Sequence, residues 1–221
     1  MHPKLIFSLT AILVPIVLLG SGLRLLLTPA FLQIEYSLPG FPADPYGFTK
    51  AERLRWAPYA VEYLVNREKI SFLGDLKFDD GTSLFNEREL SHMADVKRVT
   101  QGALNLFYLA LAGLALIGLW AKRGEQWQAF RRGLKRGGWW MTGIAGTVAL
   151  VALTGMFLLP NVFWGFFSGF HALFFEGDSW LFASSDTLIR LFPLRFWQDA
   201  FLFAAIIAAL GGLGLALGIK R

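Results

Sequence analysis

The 221-residue sequence contains no cysteine. That excludes a disulfide framework, a cysteine nucleophile, thiolate metal sites and attachment of a lipid to a cysteine of the chain's own. Charge is scarce as well: Asp, Glu, Lys and Arg make up 17% of the chain, against about 25% in an ordinary soluble domain. There are only three histidines. A Gly-x-Ser-x-Gly elbow, a His-Glu-x-x-His pair and a phosphate-cradling glycine loop are all missing, and Ser168 between Gly165 and Gly169 has the wrong spacing for the first. What is abundant is apolar: 55% of residues are hydrophobic and 15% aromatic, with a mean hydropathy of +0.48. A water-facing fold cannot hide that excess. A disordered chain, a nucleic-acid-binding arm and an ordinary cytosolic enzyme all fit poorly, and the composition reads as a membrane protein.

Four stretches match the roughly 20 apolar residues that a bilayer crossing requires: Leu5–Leu27, Val99–Trp120, Trp139–Pro160 and Ala200–Ile219. Arg24, near the end of the first, is long enough to snorkel to the interface. The first stretch runs past Gly20-Ser21-Gly22 without a small-x-small cleavage site, so it reads as a retained span rather than a signal peptide. Between the second and third spans, Lys122, Arg123, Arg131, Arg132, Lys135 and Arg136 face a single acid, Glu125. With Lys4, Lys220 and Arg221 this side carries nine bases and one acid. Of the 21 bases and 16 acids in the chain, twelve and fifteen are left for the other side. The positive-inside rule then puts both termini and the basic loop in the cytoplasm. The net charge of +5 is therefore mostly a topology signal, helped by anionic lipid headgroups, and not the mark of a nucleic-acid partner.

The outer side holds two segments. In the longer, Leu32, Ile34, Tyr36 and Leu38 alternate with polar residues, which predicts a half-buried strand. Thr49 and Glu52 have the spacing of a capping box opening a helix through about Val65. Ile70–Phe78 followed by Asp79-Asp80-Gly81 reads as strand and turn. The expected fold is an all-α membrane bundle of four transmembrane helices with a small α+β extracytoplasmic cap. In order, it comprises span 1–28, cap 29–98, span 99–121, basic loop 122–138, span 139–160, second outer segment 161–199 and span 200–221.

Two of the three histidines fall beside spans in these outer segments; His2 lies in the cytoplasmic leader and is incidental. In Phe85-Asn86-Glu87-Arg88-Glu89-Leu90-Ser91-His92-Met93-Ala94-Asp95-Val96-Lys97, Asn86 and Glu89 are spaced as helix cap and third residue. No proline intervenes, so this helix is expected to run straight into the second span. At about 100° per residue, Arg88, Glu89, His92 and Asp95 share one face. That arrangement is equally that of a solvated, salt-bridged helix start. The second histidine lies in Phe166-Phe167-Ser168-Gly169-Phe170-His171-Ala172-Leu173-Phe174-Phe175, where Trp164, Phe167, His171 and Phe174 or Phe175 share a helical side. Aromatics at an interface are most often an anchoring belt. An imidazole among them must find a partner, and desolvation there would keep it neutral, as a general base requires. Asp178 and Asp186 are the candidates to orient it. Glu89, His92, Asp95 and His171 also form a conceivable but unspecific metal set.

At these two motifs the chain resembles the four-span bacterial lipoprotein intramolecular transacylase (Lit) family. The resemblance rests on Phe85-Asn86-x-Arg88-Glu89-x-x-His92-Met93-x-Asp95-Val96-Lys97 and on Phe170-His171-x-x-Phe174-Phe175-x-x-Asp178-x-Trp180 with Asp186-x-Leu188-Ile189-x-x-x-Pro193. It covers nearly the whole chain. It implies a bacterial cytoplasmic-membrane enzyme that needs no cofactor and no metal. Its substrates are lipoproteins whose N-terminal cysteine bears a diacylglyceryl group. The sn-2 acyl chain would move to the cysteine α-amine, giving the lyso-form lipoprotein. In this reading His171 and His92 are catalytic, as base and as acid or oxyanion stabiliser, with the roles reversible. Arg88, Glu89, Asp95, Asp178 and Asp186 support them, and Trp164, Phe167, Phe174, Phe175 and Trp180 confine the acyl chains. Two other functions remain open on the residues alone: a non-enzymatic membrane chaperone or sensor for an envelope partner, and a metal-dependent envelope hydrolase.

Overall fold

In the computed structural model, which describes residues 2–219, the regular structure is helical throughout. Lys220 and Arg221, counted above among the cytoplasmic bases, lie outside the described residues. In chain order the helices are α1 (Pro3–Leu26), α2 (Pro29–Glu35), α3 (Lys50–Val65), α4 (Ser71–Gly74), α5 (Glu87–Arg123), α6 (Trp127–Phe157), α7 (Pro160–Ala172), α8 (Thr187–Leu191) and α9 (Leu194–Gly218). Four of them, α1, α5, α6 and α9, are long and apolar enough to cross a bilayer. The chain is a multi-pass membrane protein. Leu109, Leu116, Leu150 and Leu210 on these helices point outward, as side chains facing lipid do. The turn between α5 and α6 is short: α6 begins at Trp127, so Arg131, Arg132, Lys135 and Arg136 sit on its first turns rather than in a loop.

The chain divides into two compact units. The first comprises Met1–Arg24, Ala103–Val151 and Phe201–Arg221. Its helices meet through small residues. A Cβ on Gly137 of α6 would lie 2.7 Å from the Ala11 carbonyl of α1, and one on Gly138 would lie 2.6 Å from the Gly212 carbonyl of α9. Backbones this close pack without side chains between them, as helices in lipid commonly do. Around these crossings Ile6 packs with Ala121, Ala129 and Phe130, and Met141 and Ala145 pack with Ala205 and Ala208. Gly138→Ala is expected to force α6 and α9 apart and to cost about 1–3 kcal/mol, read as a lower melting temperature in detergent.

The second unit, Leu25–Gly102 with Ala152–Ala200, carries the remaining helices. Two sequence expectations are corrected here. Residues 32–38 do not form a strand: Thr28 caps α2, its hydroxyl accepting from the Phe31 N–H, and Pro29 starts the helix. The apparent alternation misled because it took Ile34 as inside and Glu35 as outside, whereas Ile34 is 52% exposed and Glu35 1%. Residues 70–78 do not form a strand: Ser71–Gly74 make the single turn α4, and Lys77 then pairs with Ser83 in one antiparallel bridge around the Asp79-Asp80-Gly81 turn. The cap is therefore helical, with no strand among the described residues. The Thr49–Glu52 capping box forms as expected, Glu52 accepting from the Thr49 N–H and the Thr49 hydroxyl from the Glu52 N–H. Beyond the end of α3, Lys97 of α5 donates to the Asn66 side chain and the Glu68 carbonyl, with its ammonium 3.9 Å from the Tyr63 ring centroid.

Glu35 is tied to Asp199 near the start of α9, and Asp199 also pairs with Arg195 at 2.5 Å. Burial, and then the adjacent Asp199 charge and hydrogen bond, push the Glu35 carboxyl up to about 8, so at neutral pH it keeps its proton. An acid that is protonated in the fold but ionised in the unfolded chain stabilises fully below its unfolded value. That contribution is lost as pH rises through its folded value of about 8. The melting temperature is expected to fall as pH is raised through neutrality toward that value, and Glu35→Gln to flatten the fall.

Candidate active site

Two helices bring the histidines together. Asn86 and Glu89 close the expected cap of α5: the Asn86 side chain accepts from the Glu89 N–H, and the Glu89 carboxylate accepts from the Asn86 N–H. One turn later α5 presents His92. On α7, opened by Pro160, the buried residues Phe163, Phe167 and His171 recur at intervals of four, which is one helical face. Both imidazoles are buried, with ring centroids 6.4 Å apart and planes at 21°. The juxtaposition joins residues 79 positions apart in sequence.

The walls around the pair are aromatic. Trp180 stacks on His171 at 4.6 Å, and Phe167 lies 4.1 Å from the same ring. Phe175 touches both imidazoles, 5.0 Å from His92 and 5.6 Å from His171. Trp164 forms the next layer, packing on Phe167 and Trp180. Phe174 packs on Phe170 and Phe175 and stands one ring further out, half exposed. Two members were not singled out in the sequence. Phe182 lies 5.2 Å from His92, and Trp197 lies 5.8 Å from Phe167. Phe182 had no periodic signal: Trp180 belongs to the turn closed by the Leu181 N–H on the Asp178 carbonyl, and residues 181–183 follow without regular structure. Trp197 had none, since it arrives from α9.

His171 Nδ1 lies 2.8 Å from the Phe167 carbonyl oxygen. A carbonyl only accepts, so Nδ1 carries the proton and Nε2 is left with its lone pair. Burial holds this imidazole below its ordinary value, so it is neutral at pH 7. His92 differs, because its Nδ1 is buried with no hydrogen-bond partner among the described residues. A buried polar atom left unpaired is costly unless a ligand or water meets it.

The charged residues of the two motifs turn away from the imidazoles. Neither Asp178 nor Asp186 orients His171, contrary to the expectation. The Asp178 carbonyl accepts from Arg88, with the two side chains 3.5 Å apart. Asp186 accepts from the Ala183 N–H and from the Asn86 amide at 3.2 Å. Asp95 pairs with Arg98. Glu89, 1% exposed, spends one oxygen on the Asn86 N–H and the other on the Leu188 N–H at 2.7 Å. Glu89, His92, Asp95 and His171 therefore do not converge as donors to a common centre.

The family model for the lipoprotein intramolecular transacylase Lit matches residues 7–197, which include both histidine motifs. The chain belongs to this family. A protein of Aquifex aeolicus (strain VF5), described as uncharacterized, is 32% identical to this Lit-family chain over 210 residues, 95% of this chain and 91% of its own. The fold is similar to that of the membrane integral lipoprotein intramolecular transacylase Lit from Bacillus cereus, solved in meso. The TM-score is 0.76 at 17% identity, over 96% of this chain and 92% of the other. At that identity the likeness is one of fold.

The tautomer is directly measurable. With ¹⁵N-labelled histidine, the His171 resonances at pH 7 are expected to report a protonated Nδ1 and a bare Nε2. Its titration midpoint should lie below the ordinary histidine value of about 6.5. A bare Nδ1 would contradict the geometry.

Proposed function

We propose that this protein is a lipoprotein intramolecular transacylase, acting on lipoproteins whose N-terminal cysteine carries a diacylglyceryl thioether and a free α-amine. The sn-2 acyl chain moves from its glyceryl oxygen to that amine, and the product is an N-acylated, S-monoacylglyceryl lyso-form lipoprotein. The observation that carries this reading is the buried pair of stacked imidazoles, one with a free Nε2, inside an aromatic chamber of a Lit-family chain.

Nucleophile and ester belong to one molecule, so the enzyme supplies no nucleophile. Its task is to fold the substrate until amine and carbonyl approach to roughly 3–3.5 Å. Phe167, Phe175 and Trp180 line the reacting region, and Trp164 and Phe174 extend the apolar surface outward along the chains. As the amine attacks the carbonyl carbon, His171 Nε2 takes its proton. When the carbon–oxygen ester bond breaks, the same proton passes to the departing glyceryl oxygen. His92 serves the oxyanion: its Nδ1 is buried without a hydrogen-bond partner among the described residues, so a substrate oxygen that enters between the rings would meet it. Arg88, Glu89, Asp178 and Asp186 support the chamber from outside by holding its wall. The distribution of bases supports an orientation with both termini and the α5–α6 turn in the cytoplasm and the histidine-bearing segments on the outer face of a bacterial cytoplasmic membrane.

The test is mass spectrometry of the N-terminal lipopeptide of a reporter lipoprotein, made in a host that builds diacylglyceryl lipoproteins but lacks other N-acylation. Transfer within one molecule conserves mass, so fragmentation must locate the chain. An acyl group on nitrogen only when the protein is present is the expected result. His92→Ala and His171→Ala are each expected to abolish it at unchanged expression. An unmodified lipopeptide despite confirmed membrane expression would overturn the proposal.

A further inference from the structure

The wall of the histidine chamber includes a strap, residues 178–188, which is not part of either long helix. Its side chains Trp180 and Phe182 cover the two imidazoles, one each. The strap is fastened at both ends, and both fasteners belong to the first motif. At its start, exposed Arg88 donates to the Asp178 carbonyl at 2.6 Å and lies 3.5 Å from the Asp178 carboxylate, which is 82% exposed. Contacts in so much water hold weakly. At its end the fastening is buried. The short helix α8 has Asp186 in its N-cap position, where an Asp side chain normally accepts from a helix N–H. Here Asp186 makes no such bond: its carboxylate reaches back to Ala183 and across to Asn86. The missing cap is supplied by Glu89, 99 residues earlier, whose carboxylate accepts from the Leu188 N–H at 2.7 Å. Its other oxygen accepts from Asn86 in the cap of α5.

We infer that Glu89 is a positioning residue, the single carboxylate that caps α5 and α8 together and thereby clamps Trp180 and Phe182 over the histidine pair. The inference rests on the proposed reaction only for the catalytic meaning of the pair; the clamp itself is a matter of contacts. Among the described residues Glu89 hydrogen-bonds to backbone N–H groups and to neither imidazole. It acts through the strap, by keeping Trp180 and Phe182 against the rings and water away from them. A side chain with one acceptor in place of two cannot do this. In Glu89→Gln the amide oxygen serves one backbone N–H, while the amide NH₂ faces the other N–H and repels it.

The experiment reads strap closure without using activity. The chain has three histidines, and His2 is exposed and remote in sequence from both motifs, so it is an internal standard. Carbethoxylation by diethylpyrocarbonate is followed by peptide mass spectrometry for each histidine in the intact protein in detergent. In Glu89→Gln, modification of His92 and His171 is expected to quicken several-fold while His2 keeps its rate. Turnover of the reporter lipopeptide is expected to fall by at least tenfold. Asp186→Ala, which loosens the same end more gently, is expected to show smaller shifts in the same directions, and it serves alone if Glu89→Gln does not fold. Unchanged rates at His92 and His171 overturn the inference, as does a quickening of all three histidines alike, which marks global loosening. If the two rates rise selectively but no variant, the unmodified protein included, transfers an acyl chain, the clamp stands and the proposed reaction falls.

Discussion

A carboxylate buried in protein must be met by donors on both oxygens or else take up a proton, since desolvation strongly penalises an unpaired charge. Glu89 meets that demand with two backbone N–H groups from the starts of two different helices, α5 and α8. Helix N-termini suit a negative charge, because their first N–H groups have no partner within the helix and the helix dipole is positive there. The satisfaction is mutual: the carboxylate is solvated by the helix ends, and the helix ends are capped by the carboxylate. The geometry of the second unit follows from it. α5 delivers His92 one turn below, and α8 ends the strap that lays Trp180 and Phe182 on the rings. Moving either helix would leave a buried carboxyl oxygen without its donor.

The chamber built in this way has little polarity of its own. Phe167, Phe175, Trp180 and Phe182 surround two imidazoles, and the carboxylates nearest in sequence are engaged elsewhere. Such a setting suits the proposed transfer within one substrate. No charged intermediate on the protein needs support, water would divert the acyl group to hydrolysis, and confinement brings the two reacting ends together.

Local signals in the sequence carried the parts of the structure that are themselves local. The four spans lie in four long helices, and the Thr49–Glu52 and Asn86–Glu89 caps form as their spacing requires, because each depends on residues a few positions apart. The strand expected at 32–38 failed because alternation separates inside from outside only where apolar residues are buried. Here exposed Ile34 beside buried Glu35 reverses that assumption. The partners of the charged residues failed for another reason. Asp178 and Asp186 lie close to His171 along the chain, but each is satisfied by the first motif some 90–100 residues away, at Arg88 and Asn86. That pairing is set by how α5, the strap and α8 pack, and no spacing within either motif encodes it. The meeting of the two histidines is likewise tertiary, and only their placement in the same side's segments hinted at it.

His171 is oriented by the carbonyl of Phe167, four residues back on the same helix. Hydrolases of the serine type give that task to a carboxylate from a distant part of the chain, which also stabilises the imidazolium formed during reaction. Here the choice of tautomer is made by a single turn of helix and is complete once α7 exists. The arrangement is modular: a Phe-x-x-x-His turn set into any apolar wall presents the same bare nitrogen, with no second element to be brought into register. In the proposed reaction it also bounds His171 as a base. A carbonyl stabilises an imidazolium less than a carboxylate does, so a proton taken up at Nε2 is held loosely and readily handed on. That favours a brief relay of one proton between two atoms of the same bound molecule over the long-lived charge separation that a covalent enzyme intermediate demands.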